Sequence, residues 1–222
     1  MSKCGFCHER KGKRPCPALK GVICSPCCGT ARVTSLDCPP DCMYLDSNLE
    51  YQQKRTGDLF NEGRKTFYRN LIETKGDKAA EIFYFLEVVT FKHFYNRREG
   101  QDGEVIAAVQ TLRRSFSPIQ IPEGMAPPFT ETLKKEYKAF MEGEKVDEAL
   151  ITEVIDAGLQ FITEFSGTGL RSSRFLNGLI GFFKGHHPDV AQQLIKISDT
   201  GGGIIIPSGA KWAGPDAPLQ AH

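Results

Sequence analysis

The sequence predicts a small N-terminal two-zinc module with a cross-braced arrangement, followed by a mainly α-helical domain. Three observations lead to this fold class. All eight cysteines lie between Cys4 and Cys42, and no cysteine follows. Beyond residue 46, apolar residues recur at helical spacing in several long stretches. The later stretches also repeat the order of the earlier ones, which suggests a duplicated helix-helix-helix-strand unit with a minor two-stranded β ribbon.

The spacing of four cysteines predicts the first metal site. Cys4-x2-Cys7 and Cys24-x2-Cys27 are separated by sixteen residues, a spacing typical of a four-cysteine zinc site. The two-residue gap lets both sulphurs of a pair reach one ion from a tight turn. His8 directly follows the first pair, so it is a possible substitute for one of these ligands.

The four remaining cysteines predict a second site. Cys16, Cys28, Cys38 and Cys42 are enough to close another tetrahedral site, so two zinc ions are expected. Because Cys16 lies between the pairs of the first site, the two ligand sets interleave in the sequence. Cys27 and its neighbour Cys28 are then expected to point to different ions, as adjacent residues in extended chain do. Full cysteine coordination leaves no open position for water, which indicates structural rather than catalytic metal.

Zinc would also supply folding energy that the head of the chain lacks. Its apolar side chains are few: Phe6, Leu19, Val22, Ile23, Val33, Leu36 and little more. Burial of so little apolar surface cannot hold about 40 residues in one structure. A structural zinc site contributes on the order of 10–16 kcal/mol.

Two other readings explain the cysteines less well. Cys4-Gly5-Phe6-Cys7-His8 has the spacing of a c-type haem attachment site, which normally requires export. The N-terminus lacks the apolar segment of a secretory signal, and six nearby cysteines would serve no purpose. A redox CxxC pair is expected at a helix N-terminus in a βαβ context, which the sequence does not predict.

Helical periodicity predicts seven helices after the head. They cover about 48–73, 78–98, 104–115, 130–141, 146–165, 175–183 and 190–197, and Gly57 is a possible break in the first. The second helix is apolar nearly all round, which predicts a place at the centre of a bundle. We interpret His93 on this helix as a satisfied core or rim residue, and the pair His186-His187 as part of a turn, rather than as metal ligands.

Two segments of the helical part share a pattern. Ile119-Gln120-Ile121-Pro122 and Ile204-Ile205-Ile206-Pro207 are offset by 85 residues, and apolar positions upstream of them also correspond. We therefore predict two copies of one unit, at about 56–124 and 145–209. Residues 119–121 and 204–206 are expected to pair as the two-stranded ribbon, which would satisfy their backbone hydrogen bonds.

These patterns divide the chain into a zinc module at 1–45, a helical domain at 46–209 and a flexible tail at 210–222. No apolar run approaches the ~18–20 residues that span a bilayer, so no membrane association is expected. Without a secretory signal the expected location is cytoplasmic. Clustered cysteines in a reducing compartment are more often metal ligands than disulfides.

Basic residues in the head leave a nucleic-acid role open. Residues 1–45 hold seven Lys or Arg and three acids, and four of the cations lie in one loop: Arg10, Lys11, Lys13 and Arg14. Such a loop can contact phosphate. Two zinc ions with eight thiolates carry a net charge of about −4, however, which offsets the formal charge of the head. Phe6 is the lone aromatic candidate there for base stacking.

The sequence offers no catalytic constellation. Phosphate-binding, dinucleotide-binding, zinc-protease and nucleophile-elbow motifs are all missing from it. The leading hypothesis is therefore a non-enzymatic zinc protein that acts as a protein-interaction or adaptor module. The alternatives are nucleic-acid binding through the basic loop, and an enzyme or small-ligand binder with a pocket between the helical repeats. A buried charged constellation in the helical part would favour the last, and a dry apolar interior would favour the first. Oligomeric state is not indicated.

Overall fold

The computed structural model describes residues 2–39, 42–46, 49–97, 99–116, 127–144, 146–167 and 172–199. These residues are mostly helical, with a small two-stranded antiparallel sheet near the N-terminus. The strands are β1 (Arg14–Cys16) and β2 (Gly21–Ile23). The helices are α1 (Ser25–Ala31), α2 (Met43–Asp46), α3 (Leu49–Lys75), α4 (Asp77–Phe94), α5 (Asp102–Ser115), α6 (Pro128–Glu144), α7 (Glu148–Ser166), α8 (Arg174–His186) and α9 (Pro188–Asp199).

The cysteine-rich head (residues 2–46) is built on the hairpin of β1 and β2. Pro15 pairs with Val22 at its centre, and the turn between the strands passes through Lys20 at a φ of 49°. The helix α1 begins directly after Cys24. The sequence predicts neither strand, because Arg14–Cys16 and Gly21–Ile23 show no alternation of apolar and polar residues.

Each predicted helix is present, with ends shifted by a few residues. The helix α6 begins at Pro128, earlier than predicted, because proline is tolerated in the first turn of a helix. The helix α4 ends at Phe94, before the predicted end at residue 98. His186 ends α8 and Pro188 begins α9, so the predicted histidine turn is a tight junction between two helices.

The most apolar helix lies at the centre of the bundle. Thirteen of the residues in α4 are buried, and α4 packs against α3, α6, α7, α8 and α9. Helices that are apolar all round require such surroundings. His93 on α4 packs between Phe94 and Phe129, and burial lowers the pKa of His93 to about 4. Among the described residues, nothing pairs with its Nε2 atom, so the expected satisfied histidine is only partly found.

The predicted break at Gly57 is wrong, because α3 continues through this residue. Gly57 lies against Gly181 of α8, and a Cβ atom at position 57 would approach the carbonyl carbon of Gly181 to 2.6 Å. A Cβ atom at position 181 would in turn overlap the backbone of Gln53 on α3. The two glycines therefore permit α3 and α8 to pack with their backbones in contact, which is the most extensive helix pairing in the fold.

A charged group is buried between α3 and α4. Arg64 Nη2 lies 2.8 Å from Glu87 Oε2, and both side chains are almost fully enclosed. The Tyr68 hydroxyl donates to the same oxygen at 2.7 Å, and Arg64 Nε donates to Glu87 Oε1 at 2.9 Å. The guanidinium also lies over the Phe182 ring, 4.5 Å from its centroid. The helical interior is therefore not purely apolar, and each Glu87 oxygen accepts a hydrogen bond.

The head and the bundle have separate hydrophobic cores. One cluster of buried apolar residues lies wholly within Cys4–Cys42, and another lies wholly within Phe60–Ala191. The two parts touch through Arg55 of α3, whose guanidinium donates to the carbonyls of Gly29 and Thr30 and, at 2.9 Å, to the Thr34 hydroxyl. This side chain therefore caps the C-terminal end of α1.

The duplication stays a prediction. Three helices occur in each proposed copy, α3 to α5 and α7 to α9, in the predicted order. The segments at 119–121 and 204–206, predicted to form the ribbon, lie outside the described residues, as does the predicted tail at 210–222. The hairpin of β1 and β2 is a different pair of strands. Within the described ranges, no helix has the length and apolarity needed to cross a membrane.

Candidate metal centre

Four cysteines of the head form a compact group, which we call the first cluster: Cys4, Cys7, Cys24 and Cys27. Their sulphur atoms all lie within 4.8 Å of one another. The first two lie in the turn before β1, while Cys24 immediately precedes α1 and Cys27 is in its first turn. The hairpin of β1 and β2 lies between the turn that carries Cys4 and Cys7 and the N-terminus of α1. It therefore brings together two cysteine pairs that are distant in sequence.

Backbone hydrogen bonds fix the turn of the first pair. The Cys4 N–H donates to the Arg10 carbonyl at 2.7 Å, and the Gly5 N–H donates to Val22 of β2 at 2.8 Å. The Cys24 N–H donates to the Cys4 sulphur at 3.2 Å, so the two pairs are also joined directly. His8 has a φ of 57° and is exposed. It is not part of the compact group, so the structure gives no support to it as a substitute ligand.

Two thiols of the first cluster, Cys4 and Cys27, differ in acidity. Burial opposes ionisation of Cys4, but N–H groups of Cys7, Cys24 and Phe6 outweigh it and lower the pKa of Cys4 to about 6. A hydrogen bond with Cys24, followed by burial, raises the pKa of Cys27 to about 12. Neighbouring thiolates repel one another, so the group cannot ionise completely by itself. A divalent cation would remove that repulsion.

The basic loop is divided by the fold. The Cys24 sulphur and the charges of Cys24, Cys27 and Cys7 raise the pKa of Arg10, so this guanidinium is influenced by the first cluster. The Arg14 guanidinium lies 4.9 Å from the centroid of the Tyr44 ring. Lys11 and Lys13 are exposed, and Lys3 pairs with Lys11 across an isolated bridge. Arg10 and Arg14 therefore interact with other residues of the chain. The exposed cations that remain are Lys11 and Lys13, with Lys3 beside Lys11.

The other cysteines, which we call the second set, surround one cavity. Cys16, Cys28, Cys38 and Cys42 are all buried and line a space of about 10 Å³. Burial, followed by the charges of Cys42, Cys16 and Cys28, raises the pKa of Cys38 to about 11. Among the described residues, mutual sulphur distances within 4.8 Å are found for the first cluster and not for the second set.

Cys27 and Cys28 separate as expected, but for a different reason. They lie on α1 rather than in extended chain, so the expected extended geometry is wrong. Successive residues of an α-helix are about 100° apart around its axis, which follows from 3.6 residues per turn. Cys27 therefore faces the first cluster, while Cys28 lines the cavity of the second set.

Two neighbouring residues support the second set, and the sequence does not reveal them. The Arg32 guanidinium donates through Nη2 to the Cys28 sulphur at 3.4 Å and through Nη1 to the Tyr44 carbonyl. Val33 has a φ of 61°, which is rare for a β-branched residue, and its N–H acts to lower the pKa of Cys38, against the effect of burial. The one available signal is that Arg32 follows Cys28 by four residues in a helix-forming segment, which places both on one face.

Comparisons of the chain with models of known protein families, with curated proteins and with solved structures find no match.

Proposed function

We propose that the chain is a non-enzymatic zinc-binding protein, whose head holds two structural zinc ions and acts as a protein-interaction or adaptor module. The first cluster carries this proposal. Four thiolates are a donor set typical of zinc, and tetrahedral Zn–S bonds of about 2.3 Å place the sulphurs roughly 3.8 Å apart. The observed limit of 4.8 Å is compatible with that spacing. No ligand position is left for substrate or water, which favours a structural role.

The proposed second ion would occupy the cavity of the second set. Its volume of about 10 Å³ is close to what one water molecule requires, so the space is of the right order for a single ion. The four sulphurs are not grouped within 4.8 Å of one another, so they must draw closer together to bind that ion. All four cysteines line this cavity and are buried. The buried Arg32 guanidinium also needs an anion nearby, and a zinc ion with four thiolates has a net charge of −2.

Exposed apolar side chains support a protein partner. Among the described residues, four large ones are exposed: Phe6, Met43, Tyr51 and Leu59. They lie in the head or in the first half of α3, and the described remainder of the bundle exposes none. A contiguous patch of such side chains is typical of an interaction surface, and these four residues are the candidates for one. The cytoplasm fits this role, because its reducing conditions keep the thiols available for metal.

A ligand pocket in the bundle has less support. The buried Arg64–Glu87 pair meets the criterion that the sequence sets for an enzyme or ligand binder. Arg64 and Tyr68 already saturate the Glu87 oxygens, however, and aromatic rings cover the guanidinium. The group thus offers no unsatisfied carboxylate oxygen to a ligand, and we interpret it as part of the core.

Metal analysis of single variants tests the zinc proposal. Protein purified without added metal should contain about two zinc ions, and Cys27→Ser and Cys28→Ser should each contain about one. The two substitutions are adjacent in sequence and chemically identical, so each controls for the other. A zinc content near zero, with all thiols titrating freely, would contradict the proposal.

The partner is tested by affinity purification from native cells with and without nuclease. A protein that remains bound after nuclease, and is lost with Phe6→Ser or Tyr51→Ser, supports an interaction module. The Gln192→Ser variant, at an exposed position on α9, is a control that should retain the partner. A partner lost on nuclease treatment, and lost again when Lys11 and Lys13 are replaced by Ser, would indicate nucleic acid instead.

A further inference from the structure

We propose that Arg32 is a positioning residue for the second zinc site, which holds the Cys28 thiolate and ties the segment that carries Cys42 to α1. This inference rests on the proposed second ion. It concerns a residue that lies outside the cysteine pattern and that is found only through its contacts.

The contacts of Arg32 join two ligand-bearing segments. Nη2 donates to Cys28 Sγ at 3.4 Å, and Nη1 donates to the carbonyl oxygen of Tyr44. Tyr44 lies in α2, two residues after Cys42. Cys28 lies in α1, one helical turn before Arg32. One guanidinium therefore spans the gap between the helix that supplies one ligand and the segment that supplies another.

The burial of Arg32 indicates what it requires. The residue is 6% exposed, and its Nε has no hydrogen-bond partner within the described part of the chain. A buried guanidinium is costly unless an anion is close. The Arg32 guanidinium donates to one sulphur and one carbonyl oxygen, so the sulphur is the anionic candidate. A cysteine bound to zinc is deprotonated, which gives the guanidinium its counter-charge.

Donation to a metal-bound sulphur has a definite consequence. The hydrogen bond fixes the position of the sulphur and opposes its protonation, and protonation is a step in zinc loss. Removal of a group that orients a metal ligand typically costs 10–100-fold in metal affinity. We expect such a loss at the second site alone, because the Arg32 guanidinium donates to Cys28 and Tyr44 rather than to a residue of the first cluster.

Arg10 provides a matched comparison. It is influenced by a cysteine sulphur as well, that of Cys24 in the first cluster, which raises the pKa of Arg10, but its side chain is exposed. When an exposed guanidinium is removed, water can donate to the sulphur in its place. Water does not reach the position of a buried guanidinium in the same way. Arg10→Met should therefore change zinc binding much less than Arg32→Met.

The experiment measures zinc release from the full-length, zinc-loaded chain to a chromogenic chelator. Cys27→Ser and Cys28→Ser assign the two kinetic phases to the two sites. Arg32→Met should accelerate the second-site phase at least 10-fold and leave the first-site phase unchanged. Arg32→Lys, which keeps the charge but cannot bridge both partners, should give an intermediate rate.

Cobalt substitution separates positioning from loss of fold. In protein loaded with Co²⁺, Arg32→Met should shift the sulphur-to-cobalt charge-transfer band, while tetrahedral d–d bands persist and show that the ion is still bound. Wild-type release rates in Arg32→Met, or equal acceleration of both phases, would overturn the role of Arg32. A wild-type chain that binds one zinc ion would overturn the second site itself, so the two failures are distinguishable.

Discussion

At the scale of single residues, both cysteine groups are surrounded by donors aimed at sulphur. The Cys24 N–H and the Arg10 guanidinium serve the first cluster, and Arg32 with the Val33 N–H serves the second set. Left-handed backbone at a non-glycine residue costs roughly 1–2 kcal/mol. The chain accepts that cost at Val33, where the resulting turn directs an N–H toward Cys38 and so opposes the rise in the pKa of this thiol. Such strain is typical of a functional site rather than of an ordinary loop.

Removing one partner of the buried pair of Arg64 and Glu87 is expected to destabilise the fold, whereas replacing the whole polar group by apolar side chains is not. Glu87→Leu leaves an unpaired buried guanidinium, so the free energy of unfolding should fall by about 3–5 kcal/mol. The triple variant Arg64→Met, Tyr68→Phe, Glu87→Leu removes all three polar groups together. It should recover stability to within about 1–2 kcal/mol of wild type, because similar apolar replacements are often neutral. Urea unfolding followed by circular dichroism measures both.

An exposed ion pair is the control for this comparison. Lys75 and Glu153 lie 2.6 Å apart, with Glu153 more than half exposed, and Glu153→Gln should cost less than about 1 kcal/mol. Equal destabilisation by the single and the triple variants would show that packing volume, rather than the uncompensated charge, controls stability at this position.

At the scale of elements, the pairing of α3 with α8 depends on the absence of two side chains. Gly57 and Gly181 face each other where the helix backbones meet. Gly178 on the same side of α8 lies against Phe60, so aromatic side chains of α3 fill the space beyond the glycine contact. Glycine weakens an isolated helix, and here that cost is offset by the close packing of two long helices.

Alanine substitution on α8 tests this crossing. Gly181→Ala would place a Cβ atom on the backbone of Gln53, so the helices must separate, and the free energy of unfolding should fall by about 1–3 kcal/mol or more. Gly185→Ala lies four residues further on in open space. It should leave stability unchanged or raise it by up to about 1 kcal/mol, because alanine favours the helix. A similar effect of both substitutions on urea unfolding would mean that the crossing is not tightly packed.

The sequence indicates some elements and not others, for physical reasons. Helices with many apolar residues, such as α4 and α7, have enough turns to reveal their period. The strands β1 and β2 do not reveal a period. Their pairing, which places Arg14 opposite Ile23, depends on the turn between them rather than on a periodic pattern of apolar residues. The break predicted at Gly57 is wrong because helix propensity is a local property. It does not indicate the glycine of α8, more than a hundred residues later, against which Gly57 packs.

The candidate site is also predictable only in part. Spacing alone groups Cys4, Cys7, Cys24 and Cys27, because a pair two residues apart must share a turn. Cysteine spacing does not indicate Arg32 or Val33, because their role depends on a left-handed turn after α1 and on a carbonyl group in α2. The spacing of the cysteines therefore predicts candidate ligands, whereas the residues that contact and position those ligands are found only from the structure.

At the scale of the whole molecule, the two hydrophobic cores predict two units that differ in what stabilises them. The bundle buries a continuous set of aromatic and aliphatic side chains from α3 to α9. The head buries mainly its cysteines, with Ile23, Val33, Leu36 and Ala31. So small an apolar core does not stabilise a unit of this size without a metal or a similar constraint. Arg55, which caps α1, is one link through which the state of the head can affect the bundle. Asp37 of the head also lies against Gly167, at the end of α7.

Removal of metal should therefore unfold the head and leave the bundle folded. With a strong chelator present, we expect backbone amides of β1, β2 and α1 to lose protection in hydrogen-exchange mass spectrometry, because zinc supplies most of the folding free energy there. Amides of α4 and α8 should keep their protection, and far-UV circular dichroism should fall only slightly, since most helical residues lie in the bundle. Adding zinc back should restore the head, which serves as the control for damage by the chelator. Loss of protection throughout α3, α4 and α8 would contradict the independence of the two cores. It would show that the contact at Arg55 makes the bundle depend on the metal state of the head.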